Sequence, residues 1–513
     1  MLRARESSDP GCPVSGTCGT GPDGDRPRYA MSPEPGSITP MENPTDPAPG
    51  PRSLPDAIVV ACVTVAYLVL GTYGTLDVLG EERLSRAYDY LGESFLRLEA
   101  TVPTNAESLR VDGRDYVYFG PLPALARILP NAIWPDAFGL WGRLSTILGG
   151  LAALLAWQRI VRTTAPALGA RLRFALGLGF GLGTPLAFLV SAPYIWHESM
   201  VIALAGSLWG IALLLDARIG RRLGRGTWLG LGCAIATAYL TRMTFSVPLL
   251  AIVVGLFALA LGARRWFPAF DDPELTRALA ERRNSICLLT PLAVALAFQG
   301  WYNIERFGSP FTYTSHASLL SYALDPELAA HHDAIGTFNP RRVMINGRHY
   351  LGGHGRFDRR PPFVHLAESA GMSEDLYLPG YREWNISLWW VSGWLLLGAT
   401  LGAVALVRRR QWPELAMVLP FSAQLGVVLS YYWVSHRFSA ELIPGLCLLF
   451  ALWLRSLTTP TVARWAGAAA GGLIAVSIAC TLASALSWHA ESNWGAPDDY
   501  RATLRDQFTP RPG

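Results

Sequence analysis

The chain has 513 residues, of which 51% are hydrophobic and 16% charged, and it carries 18 Trp; a water-soluble domain usually holds about a quarter charged residues. Its net charge of +4 comes with 43 basic residues, all of them Arg because the sequence contains no Lys. They sit mainly between apolar runs, which excludes a nucleic-acid-binding domain and points to a polytopic membrane protein whose basic residues set topology.

Residues 1–54 are rich in Pro, Gly, Ser and Asp with almost no aliphatic side chains. They bury too little to offset ordering entropy and read as a disordered cytoplasmic tail. Cys12 and Cys18 lie there without further ligands, so no metal site follows. About eleven apolar stretches fill residues 55–487, each near the ~17 to 25 residues that span a bilayer. They are 56–76, 138–161, 173–190, 194–215, 227–240, 245–261, 285–302, 386–407, 414–432, 438–454 and 465–487.

An inside N-terminus places every Arg-rich short connection on one side, including Arg218, Arg221, Arg222 and Arg225, the Arg264–Arg283 segment, and Arg408, Arg409 and Arg410. The short loops opposite hold only Arg242 and Arg437, as the positive-inside rule requires. Trp157, Trp228, Trp266, Trp301, Trp389 and Trp412 fall near span ends, like an aromatic belt. The expected fold is therefore an all-α polytopic membrane protein with two large extracytoplasmic loops, 77–137 and 303–385, and a short extracytoplasmic C-terminal tail, 488–513.

In the first loop, YDYLGESFLRL predicts a surface helix with Tyr90, Phe95 and Leu98 among its apolar contacts, and residues 116–130 predict a short, partly buried helix broken by Gly and Pro. Gly177, Gly179, Gly181 and Gly183, and the AGAAAGG run at 466–472, offer small faces for close helix packing. No duplicated halves are visible, which disfavours an inverted-repeat transporter. Cys62, Cys233, Cys287, Cys447 and Cys480 lie in apolar runs as small hydrophobes.

Ionisable residues inside a membrane are costly, so their positions are informative. Here they gather at outward span ends: Arg143, His197, Glu198, Arg242, His436, Arg437 and Glu441. Each alone is an interfacial anchor; together they suit an anionic substrate at headgroup level. A proton or ion pathway would need charges near the midplane instead.

The order of these features resembles the GT-C superfamily of polytopic glycosyltransferases, in particular the branch of protein mannosyltransferases, the aminoarabinose transferase of lipid A and rhizobial galacturonosyltransferases. The resemblance rests on YVYFGPLPALARILP from Tyr116, PYIWHES from Pro193, LTRMTF from Leu240, YNIERFGSPFTY from Tyr302 to Tyr313, and HRFSAELIPGL from His436. It covers roughly residues 56–454. It implies transfer of a sugar from a polyprenyl-phosphate donor, with inversion and without a cofactor, to a glycan, lipid or protein acceptor of the cell envelope, on the extracytoplasmic face of the cytoplasmic membrane. An acid after the first helix would be general base and cations would hold the departing phosphate.

Arg suits the phosphate because its planar fork meets two oxygens at once. The donor-phosphate candidates are Arg306, Arg437 and Arg242 with His436; His197, Glu198, Tyr118 and Asn303 are candidates for contacting substrate. For the base the match fails: where the family commonly has an acidic pair four residues before a surface-helix Tyr, Leu84 and Ser85 stand here before Tyr88. The alternatives are Asp77, then Glu93, then Asp89, the last two four residues apart on the surface helix. In the late loop His316, His331, His332, Asp333, His349, His354 and His365 match no zinc spacing, and Phe363, Tyr377 and Tyr381 suggest a small core. Competing readings are a transporter or flippase of lipid-linked glycan, or a non-catalytic scaffold of the same fold.

Overall fold

The computed structural model describes residues 54–312, 319–368, 372–378, 383–457, 460–491 and 496–508, with the side chains of 460–469 excepted. The tail expected at 1–54 lies, Leu54 apart, outside the described residues, as do His316 and Tyr381.

Helix α1 (Leu54–Gly71) is followed by a loop region holding α2 (Arg86–Leu96), the antiparallel hairpin β1 (Ser108–Val111) and β2 (Arg114–Val117), and α3 (Leu122–Ile133). Then come α4 (Gly142–Thr164), α5 (Ala170–Leu182), α6 (Pro185–Ser191), α7 (Ile195–Arg218), α8 (Arg225–Thr241), α9 (Val247–Ala260), α10 (Pro273–Ala280) and α11 (Arg282–Phe307). The second loop region contains α12 (Leu320–Leu324), α13 (Pro326–Ile335), α14 (Val343–Leu351) and two minimal strand pairs, β3 (Arg356–Phe357) with β4 (Val364–His365) and β5 (Ala367–Glu368) with β6 (Trp384–Asn385). The chain closes with α15 (Leu388–Val391), α16 (Gly393–Arg408), α17 (Trp412–Ser430), α18 (Ile443–Ser456), α19 (Pro460–Glu491) and α20 (Asp498–Phe508).

The predicted apolar stretches fall largely on helices, but 173–190 is divided between α5 and α6, 386–407 between α15 and α16, and 56–76 runs past the end of α1 at Gly71. Among the described residues seven helices are long and apolar enough to cross a membrane, or eight if α5 and α6, bent by 48° at their break, form one span. The protein is thus a multi-pass membrane protein by length and composition. Helices α8, α9 and α16 have 17, 14 and 16 residues, shorter than the ~20 that a perpendicular crossing needs at 1.5 Å per residue. The C-terminal segment expected as a tail continues α19 to Glu491 and adds α20.

Helix α7 is the axis of the bundle: 89% of its most apolar stretch is buried, against 28% for α1, which presents Ile58, Val65 and Val69 outward. Two contacts explain why the sequence spends glycine on α5. A Cβ at Gly177 or Gly181 would press into Val59 or Val63 of α1, and the Tyr67 hydroxyl donates to the Gly181 carbonyl at 2.8 Å, so small residues let the backbones approach. Gly471 and Gly472, by contrast, meet nothing within 4 Å. The α5–α6 bend has a local cause: Pro185 opens α6 and Thr184 caps it, accepting from the Leu186 N–H.

The two loop regions are tied together and to the bundle. Leu109 of β1 pairs with Leu319, and Phe338 pairs with Tyr431 beyond the end of α17. Arg342 is fully buried and donates to the carbonyls of Ile335, Thr337, Leu376 and Ser430. Asn346 donates to the carbonyls of Leu429 and Tyr431 at 2.8 Å. The small core of the late region is Tyr322, Ile335, Leu378 and Tyr432. Tyr377 is buried as expected, but Phe363 is exposed.

Candidate functional site

The span ends that carry His197, Arg242 and Arg437 meet beneath the two loop regions and frame two cavities. The larger, about 460 Å³, is lined by Glu107, Trp196, His197, Glu383, Trp384, Trp433, His436, Arg437 and Trp488, with Tyr322 and Leu319 of the late loop. The smaller, about 290 Å³, is more apolar: Phe119, Met243, Phe338, Val427, Val428 and Phe438 surround Tyr118, Arg242, Tyr431 and Glu441. The short 3-10 segment His436–Leu442 that leads into α18 partitions them, since Arg437 lines one and Phe438 the other.

Arg437 sits in an aromatic box, its guanidinium 5.4 Å from the Trp196 and Trp433 rings and 5.1 Å from Phe438. One Nη donates to Glu383 at 2.8 Å, while its buried Nε has no partner among the described residues. An Arg with one edge anchored and another unsatisfied is disposed to take an anion. Across the partition Arg242 lies 2.8 Å from Glu441 and 5.4 Å from the Phe438 ring. Tyr118 stands in the electrostatic field of both Arg242 and Arg437.

Gly120 explains how Tyr118 reaches this place. Its N–H donates to the Thr241 carbonyl at 3.2 Å, and any Cβ there would collide with the Leu240 and Thr241 carbonyls at the end of α8. Only glycine allows the first loop to lie directly on the helix that carries Arg242.

Two acids line the larger cavity: Glu383, bonded to Arg437, and Glu107, which was not among the residues expected from the sequence. The position of Glu107 follows from an Asn turn: the Asn105 side chain accepts from the Glu107 N–H at 2.9 Å, and the Asn105 N–H donates to Ser108 Oγ at 3.0 Å. The turn aims Glu107 inward just before β1. Its carboxylate is half-buried and accepts no hydrogen bond among the described residues. Burial pushes its pKa up, partly offset by Arg437, while Glu383 adds to the rise. Neither TNAES nor its surroundings has a period that would have marked Glu107.

The three acids expected as base lie elsewhere. Asp77 is solvent-exposed, 4.0 Å from Arg143, and Glu93 is exposed on α2. Asp89 is fully buried but clamped, with Arg127 at 2.6 Å and Asn131 at 2.7 Å. The other arm of Arg127 grips Glu198 at 2.6 and 2.7 Å, and Ser145 adds a bond at 2.5 Å. Glu198 therefore faces a buried ion network, not the cavity beside His197. Asp89 and Glu93, expected on one face, are divided by this packing. Leu98 is also corrected: it lies beyond the end of α2 at φ +57° and is 76% exposed.

Arg306 is placed differently from its expected role as well. It is buried, lines neither cavity, and donates to the Asn303 side chain at 2.7 Å and to the Val117 carbonyl at 3.3 Å, over the Tyr302 ring. Asn303 donates in turn to the Pro310 carbonyl at 3.0 Å, and Gly308 ends α11 in the left-handed conformation at φ +67°. The Tyr302–Pro310 motif is thus a clasp between α11 and β2. Of the expected site residues, Arg437, His436 and His197 share the larger cavity, and Arg242 and Tyr118 share the smaller one. His197 donates from Nδ1–H to the Ala192 carbonyl, 2.6 Å away, and His436 packs edge-on to Phe188 at 4.7 Å.

The late-loop histidines are dispersed. His332 packs between Tyr322 and Tyr432, His331 reaches the Tyr377 carbonyl, His349 packs on His354, and His365 meets Glu491 at 2.7 Å.

No family model and no curated protein matches the sequence. Among solved structures the chain is similar to the Archaeoglobus fulgidus oligosaccharyltransferase in its apo form, with TM-score 0.49 and 14% identity over 89% of this chain and 60% of that one. It is also similar to ArnT from Cupriavidus metallidurans, with TM-score 0.42 and 16% identity in the apo state over 88% and 68% of the two chains, and with TM-score 0.40 and 13% identity in the complex with undecaprenyl phosphate over 88% and 77%. The chain spans about 60% of the length of the archaeal protein.

Proposed function

We propose that this protein is an integral-membrane glycosyltransferase that moves a sugar from a polyprenyl-phosphate donor to a cell-envelope acceptor on the extracytoplasmic face. One observation carries the reading: Glu107, free of hydrogen-bonding partners among the described residues, shares a Trp-lined cavity with Arg437, whose Nε is unsatisfied. A base and an anion receptor are thereby set in one chamber, beside an apolar one that suits a lipid stem.

In this reading the acceptor hydroxyl oxygen attacks the anomeric carbon as the bond from that carbon to the phosphate oxygen breaks. The electron pair leaves with the phosphate, whose charge falls to Arg437, and Glu107 takes the hydroxyl proton. Attack opposite the leaving group inverts the anomeric centre. The Trp side chains offer flat apolar faces to the sugar ring, and His197 and His436 offer polar contacts. Arg306, Asp89 and Glu198 hold the scaffold.

The test is complementation of a deletion strain, with envelope glycans compared by mass spectrometry. The wild-type gene, Asp77→Asn and Glu93→Gln restore the missing sugar, whereas Glu107→Gln and Arg437→Ala do not, although membrane levels are equal. Full restoration by Glu107→Gln would remove it as base, and an unchanged glycan profile on deletion would overturn the transferase reading.

A further inference from the structure

Toward the other end of α7, where Leu214 and Arg218 lie about 26–32 Å along the helix from His197 at 1.5 Å per residue, lies a third chamber of about 300 Å³. It opens between α9 and α17, and its walls are almost wholly apolar, with Leu214, Ile252, Leu256 and Met417 among them. It takes no part in the proposed transfer.

Its polar edge is unusual. Arg218, at this edge, has an 11% exposed side chain that donates to Asp272 and Glu414, each at 3.1 Å, and its buried Nε has no partner among the described residues. Both acids are shared: Arg221 also binds Asp272 at 3.1 Å, and Arg455 also approaches Glu414 at 3.5 Å. Arg221 also pairs with Glu274 at 3.1 Å, so the three Arg of the rim meet three acids and the surplus positive charge comes from the lip.

The segment after α9 forms the lip. Ala263 and Phe267 line the chamber, and between them Arg264 and Arg265 are exposed with no ion pair among the described residues. Leu261 and Trp266 beside them are 87% and 83% exposed. Exposed aliphatic and aromatic side chains next to unpaired Arg are the composition of a segment resting at a lipid headgroup layer.

From this combination we propose that the chamber is a binding site for an anionic glycerophospholipid, with an acyl chain between α9 and α17 and the headgroup phosphate held by Arg264 and Arg265 beside Arg218. The apolar walls call for a lipid rather than a free phosphate, and the unpaired cations at the lip call for an anionic headgroup. Such a site is independent of the transfer reaction.

Native mass spectrometry of the full chain in detergent tests it, with phosphatidylglycerol and phosphatidylcholine of identical acyl chains as probes. Wild-type protein should retain one phosphatidylglycerol at least fivefold more than phosphatidylcholine, with no competition from glycerol 3-phosphate. The exposed double variant R264Q/R265Q should lose that preference. Gly255→Phe should lose retention of the lipid itself, because Gly255 lines the chamber and a Cβ there meets open space. Equal retention of the two lipids by wild-type protein, displacement by glycerol 3-phosphate, or unaltered preference in R264Q/R265Q would overturn the proposal. Should Gly255→Phe lower the melting temperature, the lipid preference of R264Q/R265Q decides the matter on its own.

Discussion

Glu107 and Asp89 are two acids of one loop with opposite circumstances. Glu107 looks into a cavity with its pKa raised by burial, whereas Asp89 has its oxygens occupied by Arg127 and Asn131. A general base works only when ionised, so the transfer rate is expected to fall as pH drops through the raised Glu107 pKa, placing the acid limb above the ordinary carboxylate range. Because Arg437 pulls that pKa down, Arg437→Gln should shift the limb of the residual rate to higher pH. A limb unmoved by that change would separate Glu107 from Arg437. Arg127 is the residue whose loss should cost most in stability: Arg127→Ala leaves Asp89 and Glu198 buried without their cation, about 3–5 kcal/mol. Thermal melting in detergent reads this directly, and an unchanged melting temperature would contradict the network.

The loop elements reach the bundle through single close contacts, and Gly120 is the tightest. Gly120→Val should push β2 and Tyr118 off α8, reducing transfer by an order of magnitude or more while the apolar helices still insert, because the collision is with backbone carbonyls. Activity equal to wild type would show that the loop stands clear of α8 in the membrane. Element type was largely legible in the sequence: long apolar stretches are helices in a bilayer, and the glycines of α5 marked a face for close packing without telling that its partner is α1. The β1–β2 hairpin was not read although Asp112–Gly113, both at positive φ, is a strong turn signal, because the strands flanking it in SLRVDGRDYV are only four residues each. The site was half legible for a related reason. Arg437, Arg242 and His436 stand out as charges at span ends, but Glu107 is one polar residue among several, and only the turn at Asn105 turns it inward. Arg306 stands out equally and is nonetheless a clasp, since motif spacing does not tell a buried anchor from a cavity wall.

At the scale of the whole molecule, both cavities lie at one end of the bundle and the Arg-rich connections at the other. Alkaline-phosphatase fusions after Gly120 and after Phe338 should therefore be active, and fusions at Arg222 and Arg409 inactive. The reverse pattern would turn the protein over in the membrane and move the proposed chemistry to the cytoplasm. The Asp89–Arg127–Glu198 network joins the first loop region to the central helix of the bundle. Glu198 is part of α7, but the Arg that compensates it comes from α3, in the first loop region. Until α2 and α3 dock, α7 carries an unneutralised carboxylate at its end. The first loop and the bundle are therefore held to one another by charge as well as by packing, and a change that undocks α3 strands a carboxylate on the most buried of the long apolar helices.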